Sequence, residues 1–347
     1  MRRSAITAVI VNYRTPDLAK RCLDALLAEP DELFSLDAVL VDGHSEDGSV
    51  EELQRYCDHH PTRAIQFLAL EQNGGFGWAN NQALLQLLAR DDPPEFIYLL
   101  NPDAVVQAHA LARLVAHMRR QSDCAAVGSL LLNEDGMRLG SAFRFPSLRS
   151  EFARASRIAK LGDWLGVGDG LVNSDHAVEC DWATGASFLM RSEALRQAGV
   201  FDDGFFLYFE DIELMWRQRK RGWTVWHEPA SRVIHVGGAA TGLNSIPSVG
   251  RKAPRRPAYW YKARRRYFAL TRGRTIAILS TLAWLAGSGL GEIRKLLRLG
   301  EVRQDVTGEL GDMLRHGLIV PSSAGQPSIP HDVSQIGRSP AWQAHVT

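Results

Sequence analysis

Two adjacent acids, Glu210 and Asp211, follow the apolar run Phe205-Phe206-Leu207-Tyr208-Phe209 and open a helical pattern whose inward face would be Ile212, Met215, Trp216 and Arg219. Acids in a first turn complement the partial positive charge of a helix N-terminus, worth about 0.3–1 kcal/mol. That explains one acid at a cap but not why so apolar an approach carries a pair inward. A carboxylate delivered there is also suited to take a proton from a hydroxyl. Asn101-Pro102-Asp103 sets another carboxylate just past the apolar run 96–100, where Pro102 fixes a turn and aims Asp103 off the strand end. A hard divalent cation bridging two phosphates needs only one or two protein carboxylates, since phosphate and water supply the other oxygens. Asp103 fits that role, although the same tripeptide also serves as a plain turn. Asp42, in Val41-Asp42-Gly43-His44-Ser45-Glu46-Asp47-Gly48-Ser49, reads equally as a turn with a helix cap or as a ligand group. His235, between Val233-Ile234 and Gly237-Gly238, is either a structural histidine or a metal ligand.

These residues need elements to hold them. β-branched runs recur at 6–11, 38–41, 65–70 and 96–100 with helix-like segments between, which predicts an α/β chain with a parallel sheet. Thr15 as N-cap and Pro16 at the first helical position open a helix presenting Leu18, Cys22, Leu23, Leu26 and Leu27 on one face. A second helix begins near 47–49, and a third follows Asn73-Gly74-Gly75-Phe76-Gly77 and buries Leu84, Leu85, Leu87 and Leu88. Every functional-looking segment thus falls at a strand end, where open α/β sheets bind ligands. Loops and short helices over 130–178 are expected to cover the site, and regular pattern returns at 187–191 and 211–221.

A chain of 347 residues, 45% hydrophobic, can build one large domain with an appendage or two ordinary domains. Cys22, Cys57, Cys124 and Cys180 are scattered without a CxxC pair, which argues against a zinc site or disulfide framework and fits a reducing compartment. The apolar start 5–11 runs into Asn12-Tyr13-Arg14 without a cleavage pattern, so it reads as a strand rather than a targeting segment. The net charge of +1 hides an uneven distribution: ten of the 40 Lys and Arg residues lie in 251–274 with no acid among them. Interleaved with Tyr259, Trp260, Tyr261, Tyr267 and Phe268, this block predicts a surface for a phosphate-rich partner, either anionic lipid or nucleic acid. Residues 275–290 are apolar but short for a span and interrupted around Gly287, Gly289 and Gly291. They are expected to lie on a lipid surface with Ile276, Leu279, Leu282, Trp284 and Leu285 dipping in, the alternative being a helix packed on the domain. The stretch 322–347 is expected to be a flexible tail.

Seven features recur in a recognisable order. They are Val9-Ile10-Val11-Asn12-Tyr13, Val41-Asp42 through Ser49, Asn73 to Gly77 with Ala79-Asn80-Asn81, Asn101-Pro102-Asp103, Thr184-Gly185-Ala186, Glu210-Asp211-Ile212-Glu213 with Trp216-Arg217, and His235 with Gly237-Gly238. Their order and spacing resemble the family-2 glycosyltransferases of the GT-A fold, particularly the rhamnosyltransferase-like branch that builds bacterial surface polysaccharides. The resemblance covers roughly two thirds of the chain, from 6 to about 242. It implies a GT-A α/β domain over 1–245, with a mostly parallel sheet flanked by helices. The nucleotide-binding half would be 1–105 and the acceptor half 106–245, followed by a helical membrane-associating segment over 246–300 and a polar tail over 301–347.

By this resemblance Tyr13 lies against the nucleotide base and Asp42 accepts hydrogen bonds from its ring, while Asn12, Asn73, Gly77 and Asn81 shape the pocket for ribose and diphosphate. Asp103 matches the last acid of a DxD-type motif and would hold Mg²⁺ or Mn²⁺, with His235 as second ligand. Asn101 replaces the first acid, a pattern frequent in that branch, so the donor site leans more heavily on Asp103. Thr184, Gly185, Ala186 and Trp216 would border the acceptor, and Asp211 matches the catalytic base, with Glu210 orienting loops or hydrogen-bonding the acceptor. The implied reaction is a single inverting displacement. It moves rhamnose from dTDP-rhamnose to a lipid-linked or polysaccharide hydroxyl at the cytoplasmic face of the plasma membrane, with UDP-GlcNAc, UDP-galactofuranose or GDP-mannose as alternative donors. A nucleic-acid-binding protein using 251–274 is the rival from another class. It leaves Asp103 and the acid pair without a role, so no nucleic-acid partner is expected.

Overall fold

The computed structural model describes residues 3–29, 33–60, 65–237, 254–297 and 306–343. The first third alternates as the pattern predicts: β1 (Ser4–Asn12), α1 (Pro16–Leu27), β2 (Phe34–Asp42), α2 (Ser49–Asp58), β3 (Ile65–Ala69), α3 (Phe76–Leu88) and β4 (Phe96–Leu100). These strands pair in the order β3-β2-β1-β4, all parallel. Every residue of β4 is buried, as a strand covered on both faces requires. Pro16 opens α1, where its missing N–H costs nothing, and the helix buries Ala19, Cys22, Leu23 and Leu26.

Beyond β4 the sheet becomes mixed. The chain continues through β5 (Ala104–Val106), α4 (Ala110–Arg120), β6 (Cys124–Leu132), β7 (Ala142–Phe143), α5 (Leu148–Ser156), α6 (Ala159–Trp164), β8 (Val178–Cys180), β9 (Trp182–Ala183), β10 (Ser187–Arg191), α7 (Ser192–Ala198), α8 (Glu210–Lys220) and β11 (Thr224–His235). β10 inserts antiparallel between β4 and β6, while β11 runs parallel to β6 and antiparallel to β5 and β8. Because β10 runs opposite to β4, the loop that leaves β4 meets the loop that enters β10, and the Asn101 amide donates to the Ala186 carbonyl at 2.9 Å.

A second layer, α9 (Ala258–Arg272), α10 (Arg274–Leu296) and α11 (Glu309–Gly317), packs on α5 and α8. It corrects three expectations. First, the basic block is not all surface: among its described cations Arg264 and Arg266 are buried. Arg264 is fully buried with Nε and Nη2 on Glu151 at 2.8 and 2.6 Å, and Arg266 holds Asp202 at 3.0 and 2.6 Å through the same two atoms. Arg255 pairs with Asp312, Arg256 with Glu309, and Arg265 and Arg274 donate to carbonyls near the end of α11. Arg264 and Arg266 fasten α9 to the catalytic domain, since a charge removed from water must be paired, while the other four tie the layer together through α11 and the segment after it. Residues 251–253 of the block, Gly238 and the expected domain boundary at 245 lie outside the described residues.

Second, the glycines do not interrupt α10. A Cβ on Gly287 would come 2.2 Å from the Phe152 carbonyl oxygen, and one on Gly291 3.0 Å from that of Ser156, so the missing side chains let α10 lie close against α5. Trp284, expected to dip into lipid, is buried beside Tyr261 and Met313. Third, the tail is packed rather than loose as far as residue 343. Ile329 and Ile336 rest on the core beneath α3, Trp78 donates to the Arg338 carbonyl at 2.9 Å, and Gly337 donates to Gln82 at 2.8 Å. Polar composition concealed this, because a few isolated anchors hold the segment. Residues 344–347 lie outside the described residues.

Candidate active site

A cavity of about 490 Å³ opens at the C-terminal ends of β1 and β4. Tyr13, Thr15, Asn73, Gly75, Phe76, Asn101, Asp103, Thr184, Tyr208, His235 and Tyr259 are among its walls. β11 pairs antiparallel with β5 so that His235 stands opposite Ala104, next to Asp103. Asp103 Oδ1 consequently lies 3.2 Å from His235 Nε2, and Asn101 Nδ2 lies 3.5 Å from the same nitrogen. The donor set fits a hard divalent ion: neighbouring ligands around one octahedral ion with bonds of about 2.1 Å sit about 3 Å apart. Among the described residues no third His, Cys, Asp or Glu joins the pair. An ion here would take its remaining oxygens from phosphate and water.

The glycine-rich loop forms one lip of this cavity. Gly75 has φ +88°, and a Cβ there would strike the Phe206 carbonyl oxygen at 1.9 Å, so only glycine fits. The Phe76 amide donates to that oxygen at 3.1 Å, and the Asn73 side chain accepts from the Gly75 amide at 3.0 Å. The loop that precedes α8 is thereby locked against the loop that precedes α3.

A second cavity, about 470 Å³, shares Phe76, Asn101, Thr184, Leu207 and Tyr208 with the first and extends over Gly185, Ala186, Glu210 and Asp211 to Arg154, Arg256 and Trp260. Its acids are presented by a strained turn: Tyr208 and Phe209 both adopt left-handed backbone, φ 72° and 70°. Such a conformation costs on the order of 1–3 kcal/mol per residue and persists where surrounding structure enforces it. Asp211 accepts from the Gly185 amide at 3.1 Å and from the Ile212 amide at 2.8 Å. Burial pushes its carboxyl up to about 6, with the two amides opposing. Glu210 is more deeply buried, and its Oε2 has no hydrogen-bond partner. Burial first, then the charge of Asp211, hold the Glu210 carboxyl well above the usual range. Asp211, at the cavity and held by two amides, is the member of the pair placed to act as a general base.

Several expected contacts are displaced. Asn12 and Asp42 are fully buried beneath the first cavity rather than lining it. They are register partners at the ends of β1 and β2, with Asn12 Nδ2 on Asp42 at 2.8 Å and the Ser45 hydroxyl and amide on Asp42 at 2.7 and 2.9 Å. That network shapes the turn carrying Gly43, whose backbone reaches the cavity wall. Gly77 permits close packing, its missing Cβ standing 3.0 Å from Phe201. Asn81 braces the loop before α8, exchanging hydrogen bonds with the Phe201 backbone at 2.9 and 3.0 Å and donating to Asp203 at 2.8 Å. Trp216 points away from both cavities, packed edge-on against Phe145 with Lys220 and Arg272 over its ring. Thr184 lines both cavities, and Gly185 and Ala186 line the second. The sequence reading missed the wall supplied by α9, where Tyr259 and Trp260 stood in the block assigned to an external partner, and it missed Arg154 of α5, which carried no motif.

The family model for Glycosyl transferase family 2 matches residues 7–167. The N-acetylglucosaminyl-diphospho-decaprenol L-rhamnosyltransferase of Mycobacterium tuberculosis is 29% identical over 252 residues, 68% of this chain and 78% of the relative. The chain is a glycosyltransferase whose residues 7–167 match the family 2 model. Rhamnosyltransferase WbbL of Escherichia coli K12 is 26% identical over 234 residues, covering 65% of this glycosyltransferase and 81% of the relative. The fold is GT-A. A solved mannosyltransferase of Pyrobaculum calidifontis, in complex with GDP-Man and Mn²⁺, superposes with TM-score 0.52 at 16% identity, covering 93% of this glycosyltransferase and 83% of that chain.

Proposed function

We propose that this glycosyltransferase moves rhamnose from dTDP-rhamnose to a hydroxyl of a lipid-linked or polysaccharide acceptor, with inversion, using Mg²⁺ or Mn²⁺ held by Asp103 and His235. The observation that carries the reading is the junction of the two cavities: Asp103 and His235 stand in one, Asp211 in the other, and Asn101 and Thr184 belong to both. When bound, the ion offsets the charge of the departing nucleoside diphosphate. Asp211 accepts the proton of the acceptor hydroxyl, whose oxygen forms the new bond at the anomeric carbon as the bond to the diphosphate breaks. The electron pair leaves with the diphosphate. The Gly185 and Ile212 amides hold the Asp211 carboxylate in place, and burial disfavours a second charge on Glu210. The two relatives named as rhamnosyltransferases favour that sugar. The test is a donor panel including dTDP-rhamnose, UDP-GlcNAc, UDP-galactofuranose and GDP-mannose, read by nucleotide release and by the anomeric configuration of the product. Release with dTDP-rhamnose and an inverted product is expected. Turnover only with another donor overturns the rhamnose assignment, and release with none overturns the enzymatic reading.

We further propose an anionic membrane surface as partner, at the cytoplasmic face of the plasma membrane. α10 spans 23 residues, and an 18-residue stretch of it has mean hydropathy 1.5 and is only partly covered by protein. Ile278, Leu279, Leu282 and Ile293 of α10 and Leu310 and Leu314 of α11 are exposed, as are the cations Lys262, Arg272, Arg274 and Lys295 around them. Apolar side chains beside unburied cations suit shallow insertion among anionic head groups. Vesicles containing phosphatidylserine should sediment the protein in a salt-sensitive way while neutral vesicles do not, and Leu282→Glu should abolish the difference. Equal sedimentation with both would rule the surface out.

A further inference from the structure

The packed tail ends on the active site. Trp342 donates its indole N–H to the Gly74 carbonyl at 2.8 Å and its backbone amide to the Asp203 carbonyl at 3.3 Å. Its ring meets Phe206 edge-on, centroids 4.8 Å apart, and Phe206 in turn meets Tyr259 at 5.2 Å. One side chain therefore ties together the two loops that close over the first cavity: the glycine-rich loop before α3, and the loop that passes through Phe206 and the left-handed Tyr208–Phe209 pair into Glu210 and Asp211. Along the way the strap is anchored by the Trp78 and Gly337 hydrogen bonds and by Ser328, whose amide donates to Asp202 at 2.9 Å and whose carbonyl accepts from Asp203 at 2.8 Å.

We infer that Trp342 is a positioning residue of the transfer reaction: it clamps the donor-side loop to the loop carrying the acid pair, so that donor binding and placement of Asp211 depend on the C-terminal strap. The physical reason lies in the strain of that second loop. Consecutive non-glycine residues in left-handed backbone relax unless neighbours hold them. Rings of α9 hold this loop from one side, Tyr259 against Phe206 and Tyr208 and Trp260 and Tyr267 against Phe209, while the Phe76 amide and the Trp342 bridge tie it to the glycine-rich loop. If the bridge is removed, the loop can leave the conformation that aims Asp211 at the cavity junction, while the sheet beneath is untouched.

The role in catalysis rests on the transferase reading, whereas the clamping itself does not, and the two are separated by what is measured. Trp342→Phe keeps an aromatic ring, smaller than the indole, and removes the N–H donor, and Trp342→Ala removes both. In the full-length protein, amide hydrogen exchange at 74–77 and 205–212 should accelerate on the order of tenfold in Trp342→Phe, as expected for the loss of one hydrogen bond, and further in Trp342→Ala. Exchange in β1, β2 and β4 should be unchanged. With the donor that turns over, KM should rise and kcat fall together by about tenfold in Trp342→Phe, and dTDP affinity by calorimetry should drop in parallel. A purely structural tryptophan predicts a lower melting temperature with both kinetic constants retained. Unchanged exchange at 74–77 and 205–212, with faster exchange confined to 328–343, overturns the inference whichever donor is used. Failure of every donor with the exchange changes present would instead count against the transferase reading alone.

Discussion

Replacing Asp211 by Asn should make the protein more stable and nearly inactive, and the size of both effects follows from its surroundings. Burial raises the Asp211 carboxyl from the ordinary 3.8 to about 6. At about 1.4 kcal/mol per pH unit, ionising it in the folded state at pH 7 costs about 3 kcal/mol relative to the unfolded chain. Asn removes that cost. It retains only one acceptor oxygen for the Gly185 and Ile212 amides, so about 1 kcal/mol of hydrogen bonding is forfeited, leaving a net gain of about 2 kcal/mol and a rise of a few degrees in Tm. The sign is set by proton uptake: the folded state holds this proton longer than the unfolded state, so wild-type stability falls as pH rises from about 4 through about 6. The stability gap between variant and wild type should accordingly be small near pH 4 and full at pH 7. Turnover should drop by on the order of 10²–10⁴ because the proton acceptor is gone. Wild-type turnover should itself decline as pH is lowered through about 6. Urea denaturation across this range and steady-state kinetics on both proteins provide the test. A variant that keeps near-normal turnover, or whose stability gap does not grow with pH, would refute the reasoning.

Glu210→Gln should leave turnover within a few-fold, because Gln preserves the shape of Glu210 and Asp211 keeps both of its amide donors. Chelation with EDTA should abolish turnover and excess Mn²⁺ restore it. Asp103→Ala should stay inactive in excess metal, and His235→Ala should shift the metal titration to higher concentration, since the pair at 3.2 Å would share one ion. Arg266→Ala strands the fully buried Asp202 carboxylate and should cost about 3–5 kcal/mol by chemical denaturation. A cost near that of a surface pair would show that α9 is held by its apolar face instead.

The parallel half of the sheet was legible because each strand carries its own apolar run and each following helix opens on its own proline or glycine, Pro16, Gly48 and Gly75, although Thr15 makes no side-chain cap. Asp103, the acid pair and His235 were legible because they sit where strands and loops end, and strand ends in such sheets face ligands. What stayed hidden was long-range pairing. Asp42 looks like a ligand group in its own segment, and only the register of β1 on β2 reveals Asn12 and Ser45 occupying it. Asn81 sits one turn into α3 and points away from the glycine loop to a backbone 120 residues later. The basic block misled for the same reason: an arginine destined for Glu151 or Asp202 has the same letter as one destined for water. Local pattern reports exposure on average, but it does not report which acid, more than 60 residues upstream, will meet a given guanidinium.

That misassignment bears on the chemistry itself. The family 2 match ends at residue 167, before the acid pair, yet the shift of Asp211 to about 6 requires water to be excluded around it. Part of the exclusion is local, from Phe205 and the strained turn, but Phe209 packs on Trp260 and Tyr267 of α9 at 5.6 and 5.7 Å, and Trp260 and Arg256 close the far side of the second cavity. The arginines that fasten α9 through Glu151 and Asp202 therefore act at one remove on the base: they hold in place the aromatic wall that keeps its carboxyl partly dry. Loosening α9 by Arg266→Ala should then lower the apparent pKa of the acid limb toward that of an ordinary carboxylate, because hydration of Asp211 removes the cause of its shift. A variant that is destabilised but keeps an acid limb near 6 would place the source of that dryness in the turn alone.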